Sequence, residues 1–302
     1  MARALPFRAN PFPHISIDLV IAVPTVANPF RPYCTVAAQF AFCLLAGCST
    51  DARETPRRAA AATKDALPAT RSSGDVVIAP STTPYVATDV ASPGSVTGTV
   101  RLASPLAMVP ALPTNGDSVL CGASMPDESV REKSGGLEGV VVWLDGVRRG
   151  KRIPLERRIE LESDKCRLTP RVQTVVVGGA VNIIAHDYLR QHLHFATLDD
   201  AKARAAILLG GGEQVIPTEL PFTSPGLVAV RDVDHAWPRA FIAVFDHPYF
   251  AVTSASGTFT IDSVPPGTYT LHVWHERTKA VTQTVHVGTA AAAQLELSLV
   301  GK

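Results

Sequence analysis

The chain has almost no net charge. Its 28 lysines and arginines against 27 aspartates and glutamates leave a formal +1 over 302 residues. No global field is present to hold a polyanion, and no local basic stripe supplies one, so nucleic acid is not an expected partner. A glycine-rich phosphate loop and a Gly-x-Ser-x-Gly elbow are both missing, which disfavours nucleotide enzymes. Gly210-Gly211-Gly212 lacks a strand-to-helix context and reads as a loop. There is no Cys-x-x-Cys pair and no Cys/His cluster of zinc-finger type, so a structural zinc site is not expected. No repeat of a solenoid or propeller is visible. What is present is 46% hydrophobic residues, enough for a sizeable core in one or two domains and too many for a disordered chain. The 24 prolines, 21 glycines and frequent threonine and valine favour short strands joined by tight turns, an all-β chain.

The amino end reads as an address. From Thr35 to Cys48 runs an uncharged apolar stretch too short to span a bilayer, with Arg31 just before it, as in a signal peptide. Leu45-Ala46-Gly47-Cys48 resembles the bacterial lipobox, whose cysteine is acylated and becomes the first mature residue. A buried core helix is the weaker reading of this stretch, since the polar, alanine-rich segment from Ser49 to Arg71 offers it nothing to pack against. The expectation is a presequence over 1–48 and export to the bacterial periplasm. There the chain would touch the membrane, the outer one, only through lipid on Cys48. The proline-rich start (Pro6, Pro11, Pro13, Pro24) fits a signal peptide poorly, so translation is expected to begin nearer Arg31. Residues 49–92 should form a disordered tether without chemistry. Beyond the presequence only Cys121 and Cys166 remain besides the acylated cysteine, and an oxidising compartment would join them in one disulfide.

Order is expected from Gly94, where Val96, Val100 and Leu102 alternate with Thr97, Thr99 and Arg101. Further strands are legible at 140–144, across 172–184, at 227–230 and at 241–245. The clearest hairpin sets Phe259 and Ile261 against Tyr269, Leu271 and Val273 across Val264-Pro265-Pro266-Gly267. Val285 with Val287, and Leu295, Leu297 and Leu299, read as closing strands. An alanine-rich stretch predicts one helix over 199–209. Sandwiches are the economical way to bury such strands.

Two stretches resemble known modules. Tyr249 to Thr253, Gly257-Thr258-Phe259, Val264 to Tyr269 and Val273-Trp274-His275-Glu276 resemble carboxypeptidase regulatory-like domains, small β-sandwiches of prealbumin-like, carbohydrate-binding-like fold, here over 247–302. Gly94 to Val100 looks like the first strand of the same fold, so the modules are either separate or interleaved. Pro170-Arg171-Val172, Gly178-Gly179-Ala180-Val181, Asp187, Gln191-His192-Leu193-His194, Val230 to Ala240 and Phe245 to Phe250 resemble a cupredoxin-like Greek-key module, assigned here to 93–246. Such a module occurs in the methylamine utilization protein-like family.

The cupredoxin resemblance implies a copper site with one histidine in a first loop and a cysteine, a second histidine and a methionine around the last hairpin. With His235-Ala236-Trp237 as the His-x-Trp of that hairpin, Asp232 stands in the thiolate position and Pro238 in the methionine position. No cysteine follows Cys166, so no blue copper is expected. The leading expectation is a scaffold without cofactor. The alternative is one Cu(II) or Zn(II) held by His192 or His194 with Asp232 and His235, and His186 nearby. His192 and His194, two apart in an extended segment, share a face.

His275 is expected in a core or interface. Trp274, beside His272 and Glu276, is expected either to stack on a glycan or to pack between the modules. Asp246 and His247 should fix the module junction through turn hydrogen bonds, and they have no Ser or Cys nucleophile beside them, so an enzyme is not expected. The function this supports is an exported, lipid-anchored binding or interaction protein with an unidentified protein or glycan partner. Copper-dependent electron transfer and carbohydrate binding by the carboxyl-terminal sandwich are the alternatives.

Overall fold

The computed structural model describes residues 71–72, 78–198, 203–218 and 222–302. The presequence, Cys48, the start site and most of the expected tether lie outside the described residues. The described chain is all-β, its helical content being the short turns Asn115–Asp117 and Ser118–Cys121. No described helix is long and apolar enough to cross a membrane.

Two sandwiches form, and their strands interleave in sequence. In the first, a three-stranded sheet sets Gly94–Leu102 between Thr258–Val264 and, in parallel, Ala292–Leu299. Its second sheet runs Val281–Val287, Gly267–Trp274, Val141–Asp145 and Phe250–Val252, with Arg71–Ser72 added at the edge. Val96, Val100, Val142, Leu144, Leu271, Val273 and Leu297 meet in its core. Sheet pairing thus joins the 94–102 and 141–145 strands to the carboxyl-terminal segment, not to the rest of 93–246, because their inward residues complete that core. The remaining middle segment is an insertion that leaves the first sandwich after Asp145 and returns to it at Phe250.

That insertion is the second sandwich. One sheet contains Arg167–Thr169, Arg158–Asp164, Ala180–Ala185 and Gln214–Pro217. The other contains Val172–Val176, Arg239–Phe245, Gly226–Asp232, Gln191–Thr197 and Ala203–Leu209. Leu161, Ile183, Leu193, Val230, Ile242 and Val244 fill the space between them.

A seam joins the sandwiches, and it explains the unbroken apolar runs. A strand with one solvated face alternates, whereas one covered on both faces reads as a continuous hydrophobic run. Val142 and Leu144 enter the first core while Val141 and Trp143 face the seam. Likewise Ile242 and Val244 enter the second core while Phe241, Ala243 and Phe245 face the seam. Trp274, Leu227 and Ile78 complete this layer.

Two expectations are corrected. The stretch 78–92 is not a free tether: Ile78 is buried in the seam, the Tyr85 hydroxyl donates to the Lys151 carbonyl at 2.6 Å, and Val86–Ala87 pairs with Arg149–Gly150. The apolar end of this segment finds a hydrophobic surface that its polar composition concealed. The predicted helix over 199–209 is a strand at Ala203–Leu209, residues 199–202 lying outside the described ones. Alanine's helix propensity is a weak prior against an open sheet edge. Ile207 and Leu209 point to the core with a period of two, and the strand pairs antiparallel with Gln191–Thr197.

Between the first two core strands, residues 103–139 form a strap. Leu112–Pro113 pairs with Ser124–Met125, and a disulfide joins Cys121 to Cys166, as the cysteine count predicts.

Candidate functional site

At one end of the second sandwich the register brings the predicted histidines beside the 232–238 loop, with Leu193 opposite Asp232 and His194 opposite Arg231. These side chains then pair two by two. His192 Nδ1 contacts the Asp234 carboxylate. Asp232, buried, accepts the backbone N–H groups of His192 at 3.0 Å and Asp234 at 3.1 Å, and its other oxygen takes His235 Nδ1. The remaining nitrogen of His235, Nε2, lies 3.2 Å from Asp117 in the strap. The ring therefore stands between two carboxylates and donates to both only as an imidazolium.

His194 makes no hydrogen bond to this group, and His186 pairs separately with Glu213 at 3.0 Å. Among the described residues no three His, Cys, Asp or Glu side chains are grouped to hold a metal ion. In this arrangement His192 Nδ1 and both ring nitrogens of His235 face carboxylates. Asp117 had no motif or spacing to mark it in the sequence; only the strap's return places it here.

The larger feature lies along the seam. A pocket of about 310 Å3 takes its wall from three parts: Leu112 and Met125 of the strap, Trp237 and Arg239 of the second sandwich, and Glu276 and Arg277 at the edge of the first. Arg171 and Glu276 close its floor with a bidentate ion pair of 2.6 and 3.0 Å, largely shielded from water. Arg277 holds the strap, donating to Ser129 Oγ at 2.6 Å and to Asp127 at 3.2 Å. Arg167 lies 3.3 Å from Glu128. On the other side of the Arg171–Glu276 pair a second pocket of about 300 Å3 includes His275 and Thr253.

His275 is 3% exposed, as expected for a core or interface histidine. Burial, then the neighbouring Arg171, Arg277 and Lys302 charges, push it down to about 4. The ring is thus neutral near pH 7. Its Nδ1 accepts the Arg277 N–H at 3.3 Å, which leaves the proton on Nε2.

Trp274 is buried and meets Phe241 edge-on at 5.3 Å, so of its two expected uses the structure shows packing between the modules and not an exposed stacking platform. The second sandwich covers this ring with Phe241 and its neighbours. His272 stacks on Trp143 at 5.0 Å, and burial lowers its pKa, partly opposed by Asp145. At the junction Asp246 accepts the Ser81 N–H at 3.2 Å, and His247 Nδ1 accepts the Tyr249 N–H at 3.2 Å. Desolvation lowers the His247 pKa as well.

Comparison with known proteins gives one family match: residues 228–300 match the carboxypeptidase regulatory-like domain family. A search of curated proteins finds no match. Among solved structures, the chain is similar to a variant of amicyanin in its reduced Cu(I) form at pH 4, with 22% identity over 29% of this chain and 81% of that one, TM-score 0.24. It is similar to the copper-containing nitrite reductase from Thermus scotoductus SA-01, with 18% identity over 32% of this chain and 23% of that one, TM-score 0.24. A second amicyanin variant with Cu(I) shares 19% identity over 31% of this chain and 96% of that one, TM-score 0.22.

Proposed function

We propose that this chain is a non-enzymatic binding protein, exported to the bacterial periplasm, anchored by lipid on Cys48 to the outer membrane, and seating its ligand at the seam between its two sandwiches. The observation that carries the seat is the composite pocket. Its wall needs the strap and both sandwiches at once, and concave sites between domains are the usual places for small ligands. The Cys121–Cys166 disulfide and the Arg277 contacts hold the strap over that place. The pocket's carboxylates are engaged by arginines, which suits a rigid binding wall better than general acid or base work. The combination of modules is the one that the sequence shares with the methylamine utilization protein-like family, and we infer membership on that combination alone.

Two measurements test the reading. Cys48→Ala should move the protein from the membrane to the soluble periplasmic fraction; retention in the membrane would refute the anchor. For the seat, a panel of acidic, neutral and basic small molecules is screened for a rise in melting temperature. Ligands that stabilise the protein should lose their effect when Leu112→Trp narrows the pocket, and a panel with no stabilising member overturns the seat. Stoichiometric Cu(II) or Zn(II) that disappears in His235→Ala would restore the metal reading. Retention on a polysaccharide lost through Trp274→Ala would favour glycans, although Trp274 is buried.

A further inference from the structure

We infer that the seam pocket takes a small carboxylic acid with an apolar body, an inference that rests on the seam being the ligand seat. The first ground is charge. Each carboxylate lining the pocket has its own guanidinium: Asp127 has Arg277, Glu128 has Arg167 and Glu276 has Arg171. Arg239 also lines it, is exposed, and has no acidic partner among the described residues. One cation is left over, and a guanidinium matches a carboxylate with two parallel hydrogen bonds.

The second ground is hydrogen bonding. Five buried side-chain nitrogen or oxygen atoms lack a partner among the described residues, and two of them, Arg167 Nε and Trp237 Nε1, belong to residues of this wall. Both are donors. A buried donor without an acceptor costs about 1–3 kcal/mol, so a ligand bringing oxygen acceptors supplies what this wall lacks, and one bringing further N–H groups does not. Both atoms lie beneath the pocket's surface. The acid is therefore first met by the exposed Arg239.

The third ground is shape. Val109, Pro110, Leu112 and Met125 give the opposite wall an apolar surface, and about 310 Å3 admits a single ring.

The test uses the full, disulfide-bonded chain labelled with 15N, with benzoate as the probe and benzamide as its neutral counterpart of the same shape. The indole N–H signal of Trp237 is assigned by its loss in Trp237→Phe. Benzoate should displace that signal in a saturating way, and benzamide should bind about tenfold more weakly, the weight of one charge-assisted contact. Arg239→Gln should reduce benzoate to the level of benzamide, and Arg239→Lys should restore part of the difference. The inference is overturned if benzamide binds as tightly as benzoate, if Arg239→Gln leaves benzoate unchanged, or if neither probe moves the signal. When neutral or basic molecules stabilise the protein through the pocket and benzoate does not, the seat stands and the acid falls. When nothing on the panel stabilises it, the seat itself falls.

Discussion

The seam and the histidine end of the second sandwich are built from similar parts, aromatic rings, imidazoles and carboxylates, yet those parts act differently. At the seam pocket Arg171 and Glu276 keep only 14% and 11% of their side chains exposed. At the histidine end His192 and Asp234 are each 48% exposed. A pair open to water is screened and pays entropy to hold its geometry, so its net worth is small. A pair removed from water has lost its hydration, and taking away one partner strands the other. Burial, more than residue type, decides what a charge pair does in this molecule.

That contrast can be broken by substitution. The largest effect is expected from Trp274→Ala, which opens a cavity in the seam and should cost about 4 kcal/mol in denaturant unfolding. A loss near zero would mean that the two sandwiches do not support each other. Glu276→Gln, which leaves the Arg171 guanidinium without its counter-charge, should cost about 3 kcal/mol.

Acid should act on the same region. The pKa of His275 falls from 6.5 when unfolded to about 4 when folded. Its contribution is full above pH 6.5, where neither state is protonated. It is lost as pH falls from 6.5 towards 4, because the unfolded chain then takes up a proton that the folded one refuses. Over that window the loss amounts to about 3 kcal/mol. His247 and His272, also lowered by burial, add in the same direction. His275→Gln should flatten the stability profile between pH 4 and 6.5, and an unchanged slope would assign the acid sensitivity elsewhere. The smallest effect belongs to the exposed His192–Asp234 pair, where His192→Asn should change stability by less than about 1 kcal/mol. A loss as large as that of Glu276→Gln would erase the distinction between the two regions.

How much of this was legible follows from the same distinction. The hairpin from Thr258 to Trp274 announced itself because one of its faces meets a core and the other water over most of its length. The runs at 140–144 and 241–245 were visible as strands, but what covered their second faces was not, since no local pattern names a partner sheet. Arg171 and Glu276 are 105 residues apart, and neither has a neighbour in sequence that foretells the pair. Asp117 was invisible for the same reason. The disulfide needed only a count of cysteines. The helix predicted over 199–209 failed where alanine content was weighed without the strand waiting beside it.

The interleaving of the sandwiches also sets a schedule. The Gly94–Leu102 strand is flanked by Thr258–Val264 and Ala292–Leu299, both supplied from the far end of the chain. The second sandwich, by contrast, draws its sheets from the 158–245 stretch alone. Contacts between distant segments form slowly, and chains emerge amino end first. As the chain is made, its inserted sandwich can close while the strand that precedes it still waits for the carboxyl-terminal strands to arrive. A chain stopped short of Ala292 would leave one edge of the Gly94–Leu102 strand without its parallel partner, an open β-edge of the kind that invites pairing with other chains.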